Sequence, residues 1–155
     1  MNSKTLLLIA HAPSDNTGRM VDSVLKGAAD PGISNVKCTW VPPLQAGPED
    51  VMACDAIILG TTENLGYMSG ALKDFFDRIY YPCLEHTEAL PYAVYIRAGL
   101  DGTGTRVAIG KITTGLKWKP VQETMILHGD YKPEFETQCE ELGMLMAASL
   151  EAGII

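Results

Sequence analysis

The sequence is most informative first in what it lacks. Its four cysteines, Cys38, Cys54, Cys83 and Cys139, form no Cys-x-x-Cys pair and sit near no histidine cluster. That pattern excludes a zinc site and a disulfide framework, so each thiol is expected to be a small apolar residue kept reduced in the cytoplasm. Basic residues are scarce: 12 Lys and Arg against 19 Asp and Glu give a net charge of -7 and a pI near 4.8. Such a balance cannot neutralise many phosphates, which argues against nucleic acid and an anionic membrane surface as partners. Long hydrophobic runs are missing too. The apolar stretch between Lys4 and His11 is too short for a signal peptide or a membrane span, and reads as a buried strand. Neither Gly-x-Gly-x-x-Gly nor Gly-x4-Gly-Lys-Ser/Thr occurs, so the dinucleotide and ATP readings those motifs carry have no support.

What is present describes an ordinary globular chain. Its 155 residues suit a single domain, 1–155, large enough to form a core without staples. Strands are expected at Thr5–Ala10, Val36–Val41, Ala56–Gly60, Tyr92–Arg97 and Gln122–His128, the first and third apolar throughout. Helices are expected over 17–29, 48–54, 70–81, from about 104 to Gly115, and over 133–151. Met20, Val21, Val24, Leu25 and Ala28 have amphipathic spacing, as do Leu72, Phe75, Phe76, Ile79 and Tyr80. Lys73 with Asp77, and Asp74 with Arg78, form i,i+4 pairs on the wet side of the third helix.

Strand and helix alternate five times, without a repeat, low-complexity tract or linker. This alternation implies a parallel sheet covered by helices on both faces, and five strands favour the order 2-1-3-4-5. Ligands of such sheets bind beyond the carboxyl ends of the strands, at the switch point. Here that means the loops after strands one, three and four. The first, His11 to Gly18, presents backbone N–H groups, hydroxyls and an amide at a helix N-terminus, which suits a phosphate and equally suits a plain helix cap. The second runs from Gly60 to Gly70 and sets Leu65, Tyr67 and Met68 among glycines. The third, Ala98 to Gly104, is glycine-rich. Both can bring bare backbone close to a ligand.

On these residues the chain resembles the flavodoxin-like superfamily, in particular bacterial flavodoxin-family proteins related to NAD(P)H-dependent FMN and quinone reductases. Residues 55–78 carry the resemblance most specifically, with a strand, a loop and a helix reading Lys73-Asp-Phe-Phe-Asp-Arg78. Ser14-Asp-Asn-Thr17 is similar to the family's phosphate loop, except that Ala12 stands where a hydroxyl is usual and Asp15 where glycine is usual. The resemblance implies a flavodoxin-like three-layer α/β/α sandwich that binds FMN. His11, Pro13, Ser14, Asp15, Asn16 and Thr17 would then surround the phosphate. Thr62, Glu63, Asn64, Leu65, Gly66, Tyr67 and Met68 would lie along the isoalloxazine, and Ala98, Gly99, Asp101, Gly102 and Gly104 near its pyrimidine edge. A carboxylate repels a phosphate, so Asp15 must turn to solvent or cap its own helix, and Arg19 could offset its charge.

No side-chain acid, base or metal ligand is implied, because the flavin would supply the redox chemistry. NAD(P)H is the implied co-substrate and a quinone or similar small molecule the acceptor. The third loop has no aromatic residue, and neither Trp40 nor Trp118 belongs to these loops, so one flavin face would stay open. That favours a reductase over an electron-carrier flavodoxin; a flavin-free protein acting through partners is a third reading. Tyr80 to Leu84 either cover the sheet or form a homodimer contact.

Overall fold

The computed structural model describes residues 3–155. Its elements in order are β1 (Lys4–Ala10), α1 (Asp15–Ala28), β2 (Val36–Val41), a 3-10 turn (Pro43–Gln45), α2 (Pro48–Ala53), β3 (Ala56–Asn64) and β4 (Tyr67–Met68). They continue with α3 (Gly70–Cys83), β5 (Pro91–Ala98), α4 (Thr103–Gly115), β6 (Lys119–Pro120), β7 (Met125–His128) and α5 (Glu134–Glu151).

The main strands run parallel in the order β2-β1-β3-β5, with β6 and β7 both pairing beyond β5. This is the expected 2-1-3-4-5 order with the last strand in two pieces. The strand expected over Gln122–His128 begins only at Met125, and Lys119–Pro120 supplies a short first piece. Pro120 has no N–H to donate, and Gln122 and Glu123 are polar, so the ladder lapses between the pieces.

Successive residues of a strand face opposite sides, and β1 divides its apolar run accordingly. Leu6, Leu8 and Ala10 join Ile58, Tyr95, Met20, Leu142 and Met146 beneath α1 and α5. Leu7 and Ile9 join Ile57, Leu59, Phe75, Phe76, Ile79 and Trp118 beneath α3 and α4. Two cores on one sheet make the three-layer sandwich. On one face α1 and α5 approach closely through two glycines. A Cβ on Gly27 would stand 1.8 Å from the Glu140 carbonyl oxygen, and one on Gly143 would stand 2.1 Å from that of Val24. Burial pushes the thiols of Cys38, Cys54 and Cys139 up to about 12, and that of Cys83 up to about 11, so all four stay protonated at neutral pH. Among the described residues, no helix is long and apolar enough to cross a membrane.

The stretch expected to be an open loop from Gly60 is the larger correction. β3 continues to Asn64, and β4 folds back on it, pairing Glu63 with Met68 and Asn64 with Tyr67. Leu65 and Gly66 alone make the turn, at φ 54° and 76°. Positive φ at both central positions is the pattern of a type I′ turn, whose twist matches that of the flanking strands. Thr61 Oγ1 accepts from Ser69 N at 3.0 Å and closes the base of the hairpin, while Ser69 caps α3 through Leu72 N.

Candidate functional site at the carboxyl edge

The strand order sets the carboxyl ends of β1, β3 and β5 side by side, and each leads into one of the expected loops. The first loop is pinned to β3 by the His11 N–H, which donates to the Gly60 carbonyl at 3.0 Å. Burial holds the His11 pKa below its ordinary value, because desolvation disfavours the charged ring. Ser14 caps α1: its hydroxyl accepts from Thr17 N, and Thr17 Oγ1 accepts from Ser14 N at 3.0 Å. The two hydroxyls therefore serve the capping box. The N–H groups of Ala12, Asp15 and Asn16 have no hydrogen-bond partner among the described residues. Asp15 is the first residue of α1 and is exposed, so its carboxylate stands in solvent beside the positive helix end. Arg19 does not offset Asp15; its guanidinium donates to the Asn16 side-chain oxygen and lies 3.9 Å from Glu136.

At the second loop, the hairpin projects its tip outward. Leu65 is wholly exposed and Tyr67 is 39% exposed. Thr62 donates to Asn64 Oδ1 at 2.8 Å. Met68 is buried in the core beneath α3, so its side chain packs there. Ala98 is likewise fully buried at the end of β5.

The second and third loops are locked together. The Glu63 carboxylate accepts from Leu100 N at 2.7 Å and from Gly102 N at 2.9 Å. A Cβ on Gly104 would stand 2.3 Å from the Gly66 carbonyl oxygen, so bare backbone is needed where α4 meets the hairpin. Asp101 turns inward to its own loop, accepting from Thr103 N at 3.0 Å. Gly99 has open space in front of it, and Leu100 is 64% exposed.

All the expected site residues thus lie along one edge, but not with one role. Ser14, Thr17, Glu63 and Asp101 hold the loops, Met68 and Ala98 belong to the core, and Leu65, Tyr67, Gly99 and Leu100 face outward. Sequence reasoning set Trp40 outside the loops and read Arg97 only as the end of a strand. The Trp40 indole N–H donates to the Ala10 carbonyl at 3.0 Å and covers the end of β1. Arg97 lies over the Phe135 ring, 5.0 Å from its centroid, and donates to the Ala98 and Leu127 carbonyls at 3.1 Å. Both sit at strand ends on this edge. The only sequence signal is their place next to a turn.

No protein-family model matches the chain. Over 111 residues, 72% of the chain, it is 28% identical to a flavodoxin of Aquifex aeolicus (strain VF5), and the match spans 59% of that relative's length. A flavodoxin from the domain Archaea superposes with a TM-score of 0.79 at 14% identity, covering 94% of this chain and 98% of that one. The two-electron reduced flavodoxin of Megasphaera elsdenii gives 0.73 at 16% identity, covering 92% and 98%. A flavodoxin, WrbA-like protein from Agrobacterium tumefaciens gives 0.71 at 18% identity, covering 95% and 96%. Order of strands, layers and these superpositions agree: the chain has the flavodoxin-like fold.

Proposed function

We propose that this protein holds FMN at the carboxyl edge of its sheet and uses it to reduce quinones or similar small acceptors with NAD(P)H. The residues fit the group. The N–H groups of Ala12 in the first loop and of Asp15 and Asn16 in the first turn of α1 are unpartnered and suit its phosphate, and Asp15 is exposed to solvent. Tyr67, Leu65, Gly99 and Leu100 offer apolar and bare-backbone surface to a flat ring. When bound, FMN supplies transfer of one or two electrons. The chain's own part is to position the ring, shield it from water and leave an approach for the substrate.

One observation carries the choice of reductase. The second loop offers one aromatic ring, Tyr67, while the third loop has no aromatic side chain and Leu100 is its one large apolar residue. A flavin held there is not closed between two aromatic side chains, so a nicotinamide or quinone can stack on it. The second reading, a flavodoxin-type electron carrier, draws on the named relatives. The test is to purify the protein and record a visible flavin spectrum, then add NADPH or NADH with a quinone. Bound flavin with turnover supports the reductase. Bound flavin reduced only by an electron-transfer protein leaves the carrier. No flavin, even after FMN is added, removes both and favours a flavin-free role through partners.

The proposal includes a homodimer, with Tyr81 at its contact. This residue is 79% exposed, and its ring meets that of the half-buried Tyr80 edge-on at 5.3 Å. Sedimentation of Tyr81→Ser beside the unchanged protein tests it. A cytoplasmic setting, in which buried thiols stay reduced, belongs to the same reading.

A further inference from the structure

Two clefts of similar size open beside α4. One, of about 630 Å³, lies where β6 and β7 part, and is rimmed by Arg106 and Glu123, charges of opposite sign. None of its lining residues belongs to the three carboxyl-edge loops. The other, of about 610 Å³, runs between α3 and α4, and one end of it is formed by Gly66 and Tyr67 of the hairpin. That volume falls within the range of small-molecule sites, roughly 300–1,000 Å³. Its floor is apolar, made by Val107, Ala108 and Ile112, and its polar rim is two lysines, Lys73 and Lys111.

Charge tells the grooves apart. The chain as a whole carries -7, and α5 alone contains five glutamates. By contrast, α4 contains Arg106 and Lys111 and no carboxylate. Lys73 pairs with Asp77 at 2.6 Å, whereas Lys111 has no ion-pair partner among the described residues. A cationic rim over an apolar floor recognises a ligand that is flat and anionic at once. An acidic protein would also meet the lysines, but it does not need a concave apolar floor. The groove also ends at the ring-facing residues of the hairpin, so its occupant can extend one end to that edge.

We propose that the α3–α4 groove binds the adenosine-diphosphate portion of a pyridine nucleotide, with its phosphates at Lys111 and its base on Val107, Ala108 and Ile112. The inference rests on the reductase reading, and it supplies the nucleotide site for which no sequence motif exists.

The test uses the full chain loaded with FMN, and ADP-ribose as a probe that cannot transfer hydride. Amide shifts in ¹⁵N-labelled protein are expected at Gly66, Tyr67, Val107, Lys111 and Ile112. Lys111→Glu is expected to weaken ADP-ribose binding about tenfold or more, since it turns an attraction into a repulsion. Lys117→Glu, on the exposed turn after α4, is expected to leave binding unchanged. Val107→Glu is a second variant, placing a carboxylate on the exposed floor. Retained melting temperatures establish that both groove variants fold. Shifts confined to other surfaces, or unchanged affinity in both variants, would overturn the proposal. So would an acidic peptide that moves the same amides while ADP-ribose does not. NADPH turnover with an unchanged KM in Lys111→Glu would defeat the groove and leave the reductase standing. Binding of ADP-ribose in the groove without any NADPH or NADH turnover would support the groove and defeat the reductase.

Discussion

At the scale of single residues, the hairpin tip and the carboxylate behind it pull in different directions. Leu65 has positive φ, which costs a non-glycine residue about 1–2 kcal/mol, and its exposed side chain gains no packing in return. Leu65→Asn would give Asn-Gly, the favoured pair for this turn. It is expected to raise stability by about 1 kcal/mol, read as a higher urea midpoint. If FMN affinity falls while stability rises, the strained leucine is held for the ligand; if both are unmoved, the strain at Leu65 is misjudged. Glu63 has the opposite character, since nothing about it is strained and much depends on it. Its carboxylate accepts two N–H groups of the third loop. Glu63→Ala is expected to cost about 2 kcal/mol, and to speed hydrogen exchange at Leu100 and Gly102 above all. Glu63→Gln keeps one accepting oxygen and should fall between. Exchange at these two amides no faster than in the parent would show that the loops hold without this link.

At the scale of elements, the decisive contact is between α1 and α5. These helices touch backbone to backbone at Gly27 and Gly143, leaving no room for a methyl group on either. Gly143→Ala must push the helices apart, at a cost of roughly 1–3 kcal/mol despite alanine's better helix propensity. Gly27→Ala is expected to do the same. The double variant should cost less than the sum, because the first separation makes room for the second methyl. Additive melting shifts would mean that each site relaxes on its own. This contact also shows where sequence reading stops. Helix periodicity and apolar strands located the elements, and alternation gave their order, because those patterns are local. A glycine inside a helical pattern says nothing of which neighbour it admits. The hairpin escaped for a similar reason: Thr61 to Asn64 are polar, and only pairing with Tyr67 and Met68 makes them strand. The switch-point rule pointed to three loops, and the strand order sets them side by side at one edge. It could not find Glu63's role, whose partners lie 37 and 39 residues away.

At the scale of the whole molecule, the two edges of the sheet divide the work. The carboxyl edge gathers exposed loops and the candidate site, while the amino edge ties distant parts of the chain together. There Glu151, at the end of α5, accepts from Ser34 N at 2.6 Å, Ser34 Oγ at 2.9 Å and Asn35 N at 2.9 Å. Lys4 Nζ donates to the Leu150 carbonyl at 2.8 Å beside it. The hydrogen bonds from Ser34 and Asn35 hold the Glu151 carboxyl below its ordinary value of 4.5. A carboxylate whose folded value is depressed adds stability above its unfolded value, and that stability is lost as pH falls through the folded one. Glu151→Gln should therefore be less stable than the parent near about pH 7, with the difference closing on acidification below about pH 4. Because the contact lies at the edge opposite the candidate site, FMN affinity at neutral pH is expected to stay unchanged. Urea midpoints at both pH values and one flavin titration check this. A stability difference that persists in acid would assign the effect to packing of the side chain. A loss of flavin affinity would mean that the two edges are coupled through the sheet.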